Sequence, residues 1–195
     1  MAEGADIGLT IIICTFHREA LLARALASIS AQHCPRGLNV RALVVDNSDE
    51  GSAAETVAAA ARDCPFDLAW IDAHPANISV ARNRGVAAAM TPYVAFLDDD
   101  QEMAPGWLDA TAGALRSSDA DAFFGSVEAN FETPDRATPL TRQLFSRRLD
   151  APAGAELFAM GAHKTRGLAL ATNNSVFRRA AMAIRPHPFD ADFGH

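Results

Sequence analysis

The chain's order of apolar runs predicts an α/β fold of three layers, with helices on both sides of a mainly parallel, mixed central sheet. Short apolar runs recur near 9–14, 41–46, 67–72 and 93–98, and segments of helical periodicity separate them. Two of the runs stop abruptly at acidic residues, as strands do at the ligand-bearing edge of an open α/β sheet.

Each element follows from its residues. Leu9 to Cys14 is a nearly unbroken apolar run, too short to span a membrane, and suits a buried strand. Glu19 to Gln32 places Leu21, Leu22, Ala25, Leu26 and Ile29 on one helical face. The run from Arg41 ends in Asp46-Asn47-Ser48-Asp49, and a helix is expected from Ala53 to Arg62. A third strand at 67–72 leads to a helix from Val80 to Met90, and Tyr93 to Leu97 then ends in Asp98-Asp99-Asp100.

Beyond Gln101 the pattern is less regular. A helix is expected near Pro105 to Arg116 and a long strand near Ala122 to Val127, followed by a stretch rich in Pro, Arg and Thr from Glu132 to Arg166. A short strand near Leu168 to Thr172 then leads through Asn173-Asn174 into Ser175 to Met182. There is no internal repeat and no flexible linker, so residues 1–195 are read as one domain.

Composition narrows the function. Hydrophobic residues make up 49% and charged residues 21%, which fits a globular protein. The net charge of −7 argues against a nucleic-acid partner, whose phosphates are bound by clustered Lys and Arg. Three cysteines with no close pair suit reduced thiols rather than a disulfide framework or a zinc site. Glu3 and Asp6 stand where a secretory signal carries positive charge, so a cytoplasmic location is expected.

The residues with chemistry cluster at strand ends. Three consecutive carboxylates repel one another unless positive charge lies between them, and a Mg²⁺ or Mn²⁺ ion would supply it. Asp98 and Asp100 project to one side in extended backbone; the competing reading is a solvated turn capping the next helix. Asp46 either caps the following helix or hydrogen-bonds a nucleoside. Arg82 and Arg84 stand at a helix start near the same edge, where a guanidinium suits a base carbonyl or a phosphate. Trp70 and Trp107 are read as packing residues, and His33, His74, His163 and His187 as structural or solvent-facing.

In this order the segments Thr10 to Arg18, Val44 to Ser48, Ala81 to Gly85 and Phe96 to Asp100 resemble the family 2 glycosyltransferases of GT-A fold, and the likeness resumes at Asn173-Asn174-Ser175-Val176-Phe177-Arg178-Arg179. The resemblance implies a nucleotide-binding half at about 9–100 and an acceptor-side half at about 101–195, incomplete at its C-terminus. It implies that the Thr15 loop and Asp46 hold the nucleoside and that Arg82 lies near the base. Asp98 would hold ribose or metal, Asp100 the metal at the diphosphate, and Asn173 and Asn174 the acceptor side. His17 stands where the family more often has Asn.

The implied donor is a nucleoside diphosphate sugar, UDP-linked as a first guess. The acceptor is a glycan, lipid or small molecule, and peripheral membrane association in a bacterial cell is compatible with it. The family's acidic base usually follows a segment like Phe189 to Gly194, so Asp190 and Asp192 are read as preceding it, and a fraying chain end with little transfer activity is expected. A nucleotide-sugar-binding module without turnover is the rival reading. A phosphoryl-accepting receiver would need a lysine after its fifth strand, whereas the chain's one lysine is Lys164; no G-x-G-x-x-G follows the first strand, which argues against dinucleotide binding.

Overall fold

The computed structural model describes residues 6–149, 151–152, 154–157 and 171–194. Six strands form one sheet in the order β3-β2-β1-β4-β6-β5. The first four, β1 (Ile7–Thr15), β2 (Leu38–Asp46), β3 (Asp67–Asp72) and β4 (Tyr93–Asp98), are parallel, while β6 (Ser175–Arg178) runs antiparallel to both β4 and β5 (Ala122–Phe124). The sheet is therefore mixed and mainly parallel, as the sequence predicts.

Alternation along the central strands divides the core between two faces. Leu9, Ile11 and Ile13 point into a cluster with α1 (Glu19–Ser30), α2 (Ala54–Ala60) and α4 (Trp107–Ser117). Ile12, Leu43, Val45, Val94 and Phe96 face α3 (Ile78–Ala88) on the opposite side. Leu22, Leu26 and Ile29 of α1 are buried, each worth about 1.5–3 kcal/mol of transfer free energy. A Cβ on Gly85 would come within 2.6 Å of the Ile12 side chain, so glycine there sets the close approach of α3 to β1.

The second half departs from expectation in three places. The strand expected to reach Val127 stops at Phe124: the Gly125 N–H still meets the Asn174 carbonyl at 2.9 Å, but the partner segment turns there at a left-handed Asn174, and Val127 keeps a single bridge to Arg147. The strand expected at Leu168 to Thr172 falls partly outside the described residues, and Ala171 and Thr172 are not in a strand. The strand forms instead at Ser175–Arg178, after Asn174 takes a left-handed φ of 50° and resets the chain, and a single helical turn follows at Arg179–Met182. Trp70 is also not a core residue: it lies 39% exposed on edge strand β3.

The strand order fixes where a ligand crevice opens. From β1 the chain moves outward through β2 and β3, then returns to place β4 on the other side of β1. The carboxyl ends of β1 and β4 are thus the switch point of the sheet. Their register pairs Cys14 with Asp98.

Candidate functional site

A cleft of about 560 Å³ opens at this switch point and is lined by Thr15, Arg18, Arg82 and all three aspartates, Asp98 to Asp100. Each carboxylate has a positive partner, Arg18 being shared by two of them. Asp98 lies 3.8 Å from the Arg82 guanidinium. Asp99 is 5% exposed and accepts from the Thr15 hydroxyl at 2.8 Å and from Arg18 Nη1 at 3.2 Å. Asp100 is half-exposed, with Arg18 at 3.5 Å. Two arginines therefore already supply the positive charge that the sequence reading assigned to a cation alone.

Burial, opposed by Arg82 and reinforced by Asp100 and Asp99, raises the Asp98 carboxyl above the usual carboxylate range. Burial likewise pushes the Cys14 thiol up to about 12, with Arg82 opposing and Asp98 and Asp99 adding to the rise. Cys14 is therefore a protonated thiol on the cleft wall.

Asp46 is placed differently from Asp98. Its side chain is fully buried, and its two oxygens accept the backbone N–H groups of Ser48 at 2.9 Å and Ala53 at 2.7 Å. The carboxylate shapes the loop into α2 and is itself buried, outside the lining of the cleft. Its neighbour Asn47 lines the cleft and knits the next loop: Nδ2 donates to the Ala73 and Pro75 carbonyls, and Oδ1 accepts the Asn77 N–H at 2.6 Å.

Several residues of the site escaped the sequence reading. Phe16, 49% exposed, and Ile78 give the cleft an apolar wall. Arg18 and Asp99 form the central ion pair, and the one signal for it in sequence is the place of Arg18 in the loop that follows β1. His17 takes φ 52°, a conformation in which Asn, Asp and His are enriched, so histidine is accommodated at the position where the resemblance implies Asn.

Asn173 and Asn174, expected on the acceptor side, are engaged within the protein. Asn173 Oδ1 accepts from Arg147 Nη1 at 2.6 Å; Asn174 Oδ1 accepts from the Trp107 indole at 2.7 Å and its Nδ2 donates to the Ser126 carbonyl. Asp190 and Asp192 are exposed and stand outside the cleft, and Asp190 caps the turn Ala191–Phe193 by accepting the Asp192 N–H. That segment is tied back to α3 and the residues before it. Asn83 makes two hydrogen bonds with the Phe189 backbone, Asn77 Nδ2 donates to the Ala191 carbonyl, and the Ile78 N–H donates to the Gly194 carbonyl.

Among the described residues no group of three or more His, Cys, Asp and Glu side chains is arranged to hold a metal. The donor set of Asp98 and Asp100 nevertheless fits Mg²⁺ or Mn²⁺. Such ions are commonly bound by one or two carboxylates together with substrate phosphates and water.

A mixed, mainly parallel sheet with a cleft at its switch point is the architecture of the GT-A fold. The fold aligns with TarS of S. aureus at a TM-score of 0.67 and 16% identity, over 91% of this chain and 49% of that one. TarS in complex with UDP-GlcNAc aligns at 0.64 and 14%, over 91% of this chain and 47% of that one. The mannosyltransferase PcManGT of Pyrobaculum calidifontis, in complex with GDP-Man and Mn²⁺, aligns at 0.57 and 18%, over 90% and 46% respectively. Residues 10–191 match the Glycosyl transferase family 2 model, and the chain belongs to that family. It is also 34% identical over 126 residues to the succinoglycan biosynthesis protein ExoM of Rhizobium meliloti (strain 1021), covering 65% of this chain and 39% of ExoM. The chain thus spans less than half the length of these relatives. No helix among the described residues is long and apolar enough to cross a membrane.

Proposed function

We propose that this glycosyltransferase takes its sugar from a nucleoside diphosphate donor, UDP-linked in the first instance, and transfers it to an acceptor hydroxyl with inversion, using Mg²⁺ or Mn²⁺. The observation that carries this reading is the meeting of Asp98, Asp100, Arg18 and Arg82 in one cleft at the β1/β4 switch point. TarS with UDP-GlcNAc and PcManGT with GDP-Man and Mn²⁺ lend support through the shared fold.

Phe16 and Ile78 offer the nucleoside an apolar wall, and Asn47 with the buried Asp46 fixes the loop beside it. Asp98 and Asp100 would hold the metal, which neutralises the leaving diphosphate. Arg82, between Asp98 and the Phe189 ring 5.7 Å away, orients the donor from the other wall. We assign the acceptor-side asparagines a positioning role through Trp107 and Arg147. General-base work falls to neither Asp190 nor Asp192, since both stand outside the cleft.

Calorimetry with UDP, GDP and dTDP in Mn²⁺ tests the donor site. At least one should bind, and Asp100→Ala should weaken it; failure of all three, or indifference to the substitution, rejects the assignment. The placement of Asp190 and Asp192 also favours a second reading, a module that binds donor without turnover. A radiolabelled-donor assay with varied acceptors separates the two: little transfer by this chain fits the module, and transfer abolished by Asp190→Asn or Asp192→Asn restores them as the base.

A further inference from the structure

We propose, resting on the nucleotide-sugar reading above, that Arg18 is a built-in counter-cation that a divalent ion must displace from Asp100 before the ion and a diphosphate can share the site. The Arg18 guanidinium is within 3.2 Å of Asp99 and 3.5 Å of Asp100, so one cation serves two carboxylates. Its two bonds are unequal in kind. Asp99 is buried and held from the other side by the Thr15 hydroxyl, so it anchors Arg18 firmly. Asp100 and Arg18 are each about half-exposed, with 51% and 53% of their side chains accessible, and their contact is free to open.

The electrostatics then impose an order on binding. Arginine cannot discharge by losing a proton, and a divalent ion at Asp100 would sit within a few ångströms of it. Metal alone competes with Arg18 for the Asp100 carboxylate, whose Oδ2 lies 3.5 Å from Nη1, and also faces a like charge. A diphosphate reverses the second effect, because its negative oxygens give the released guanidinium a partner and bridge to the ion. Arg18 therefore suppresses metal binding in the absence of nucleotide and couples the two ligands when both are present. By linkage the coupling is reciprocal, so metal strengthens nucleotide binding by the same factor.

The test is direct Mn²⁺ binding by calorimetry, with and without UDP, GDP or dTDP, to the wild type, Arg18→Gln, Arg18→Met and Arg18→Lys. Both neutral variants should bind Mn²⁺ alone about fivefold more tightly than the wild type, a size set by a half-exposed ion pair, and should show weaker coupling between Mn²⁺ and nucleotide. Arg18→Lys, which keeps the charge, should stay near the wild type. Two neutral variants give the result independently should one fold poorly. Unchanged or weaker Mn²⁺ binding by the neutral variants, while the wild type binds Mn²⁺ with nucleotide, overturns the counter-cation role and leaves the nucleotide-sugar reading standing. Absence of Mn²⁺ binding in every protein with all three nucleotides overturns both.

Discussion

At the residue scale, Asp46 and Asp98 show how two carboxylates at the same sheet edge come to opposite uses. Asp46 is buried with both oxygens accepting backbone N–H groups, so Asp46→Asn sets an amide N–H against a backbone N–H and should destabilise the fold by roughly 1–3 kcal/mol in chemical denaturation. The sequence reading put recognition before folding at this residue, because a strand-end aspartate looks the same whether it faces a cleft or a loop. Asp98 runs the other way. Burial, with Asp100 and Asp99, raises its carboxyl despite Arg82 and Arg147, so ionisation is harder in the folded state than in the unfolded chain. Stability tied to this group is present at low pH and lost as pH rises through the raised value. Asp98→Asn should therefore melt no lower than the wild type near neutrality, with a gap in its favour that widens as pH rises from the acid side, while losing Mn²⁺-dependent nucleotide binding. A wild type that gains on the variant as pH rises would contradict this account. Arg18 was harder to see in sequence, since its role depends on β1 and β4 lying side by side.

At the scale of elements, the first half was legible because each strand carries its own signature. Leu9 to Cys14 and Tyr93 to Leu97 are buried on both faces and read as continuous apolar runs. The second half depends on partners distant in sequence. Ser175–Arg178 is a strand because β4 and β5 flank it, and Asn174 breaks the register before it, which no local period records. The C-terminal turn is a further case: nothing in Phe189 to Gly194 announces that it docks on α3, yet Asn77 and Asn83 reach across to hold it. Asn83→Ala removes both hydrogen bonds to the Phe189 backbone. Hydrogen exchange at the Phe189 amide should accelerate about tenfold while the global melting temperature moves little, the mark of a local opening. Global destabilisation without faster local exchange would mean that the turn belongs to the cooperative core.

At the scale of the whole molecule, the site joins elements that contact one another through the central strands, so ligand binding should register in the stability of the entire fold. The loop after β1 supplies Thr15, Phe16 and Arg18, the end of β4 supplies the aspartates, and α3 supplies Arg82 together with the asparagines that hold the C-terminal turn. A ligand that bridges these three elements binds the native state and not the unfolded chain, in which they are separate. At about one hundred times its dissociation constant, such a ligand adds about 2.7 kcal/mol. For a chain of this size that corresponds to a rise of roughly 5–10 °C in melting temperature. UDP with Mn²⁺ should produce that rise, and UDP with a chelator should produce a clearly smaller one, because two carboxylates then face the diphosphate without an ion between them. In Asp100→Ala the difference between metal and chelator should collapse, while the apo protein melts as before, since Asp100 is half-exposed and its partner, Arg18, keeps Asp99. Equal shifts with and without metal in the wild type would show that the nucleotide is held by Arg18, Arg82 and the apolar wall alone, and would remove the metal from the proposed reaction.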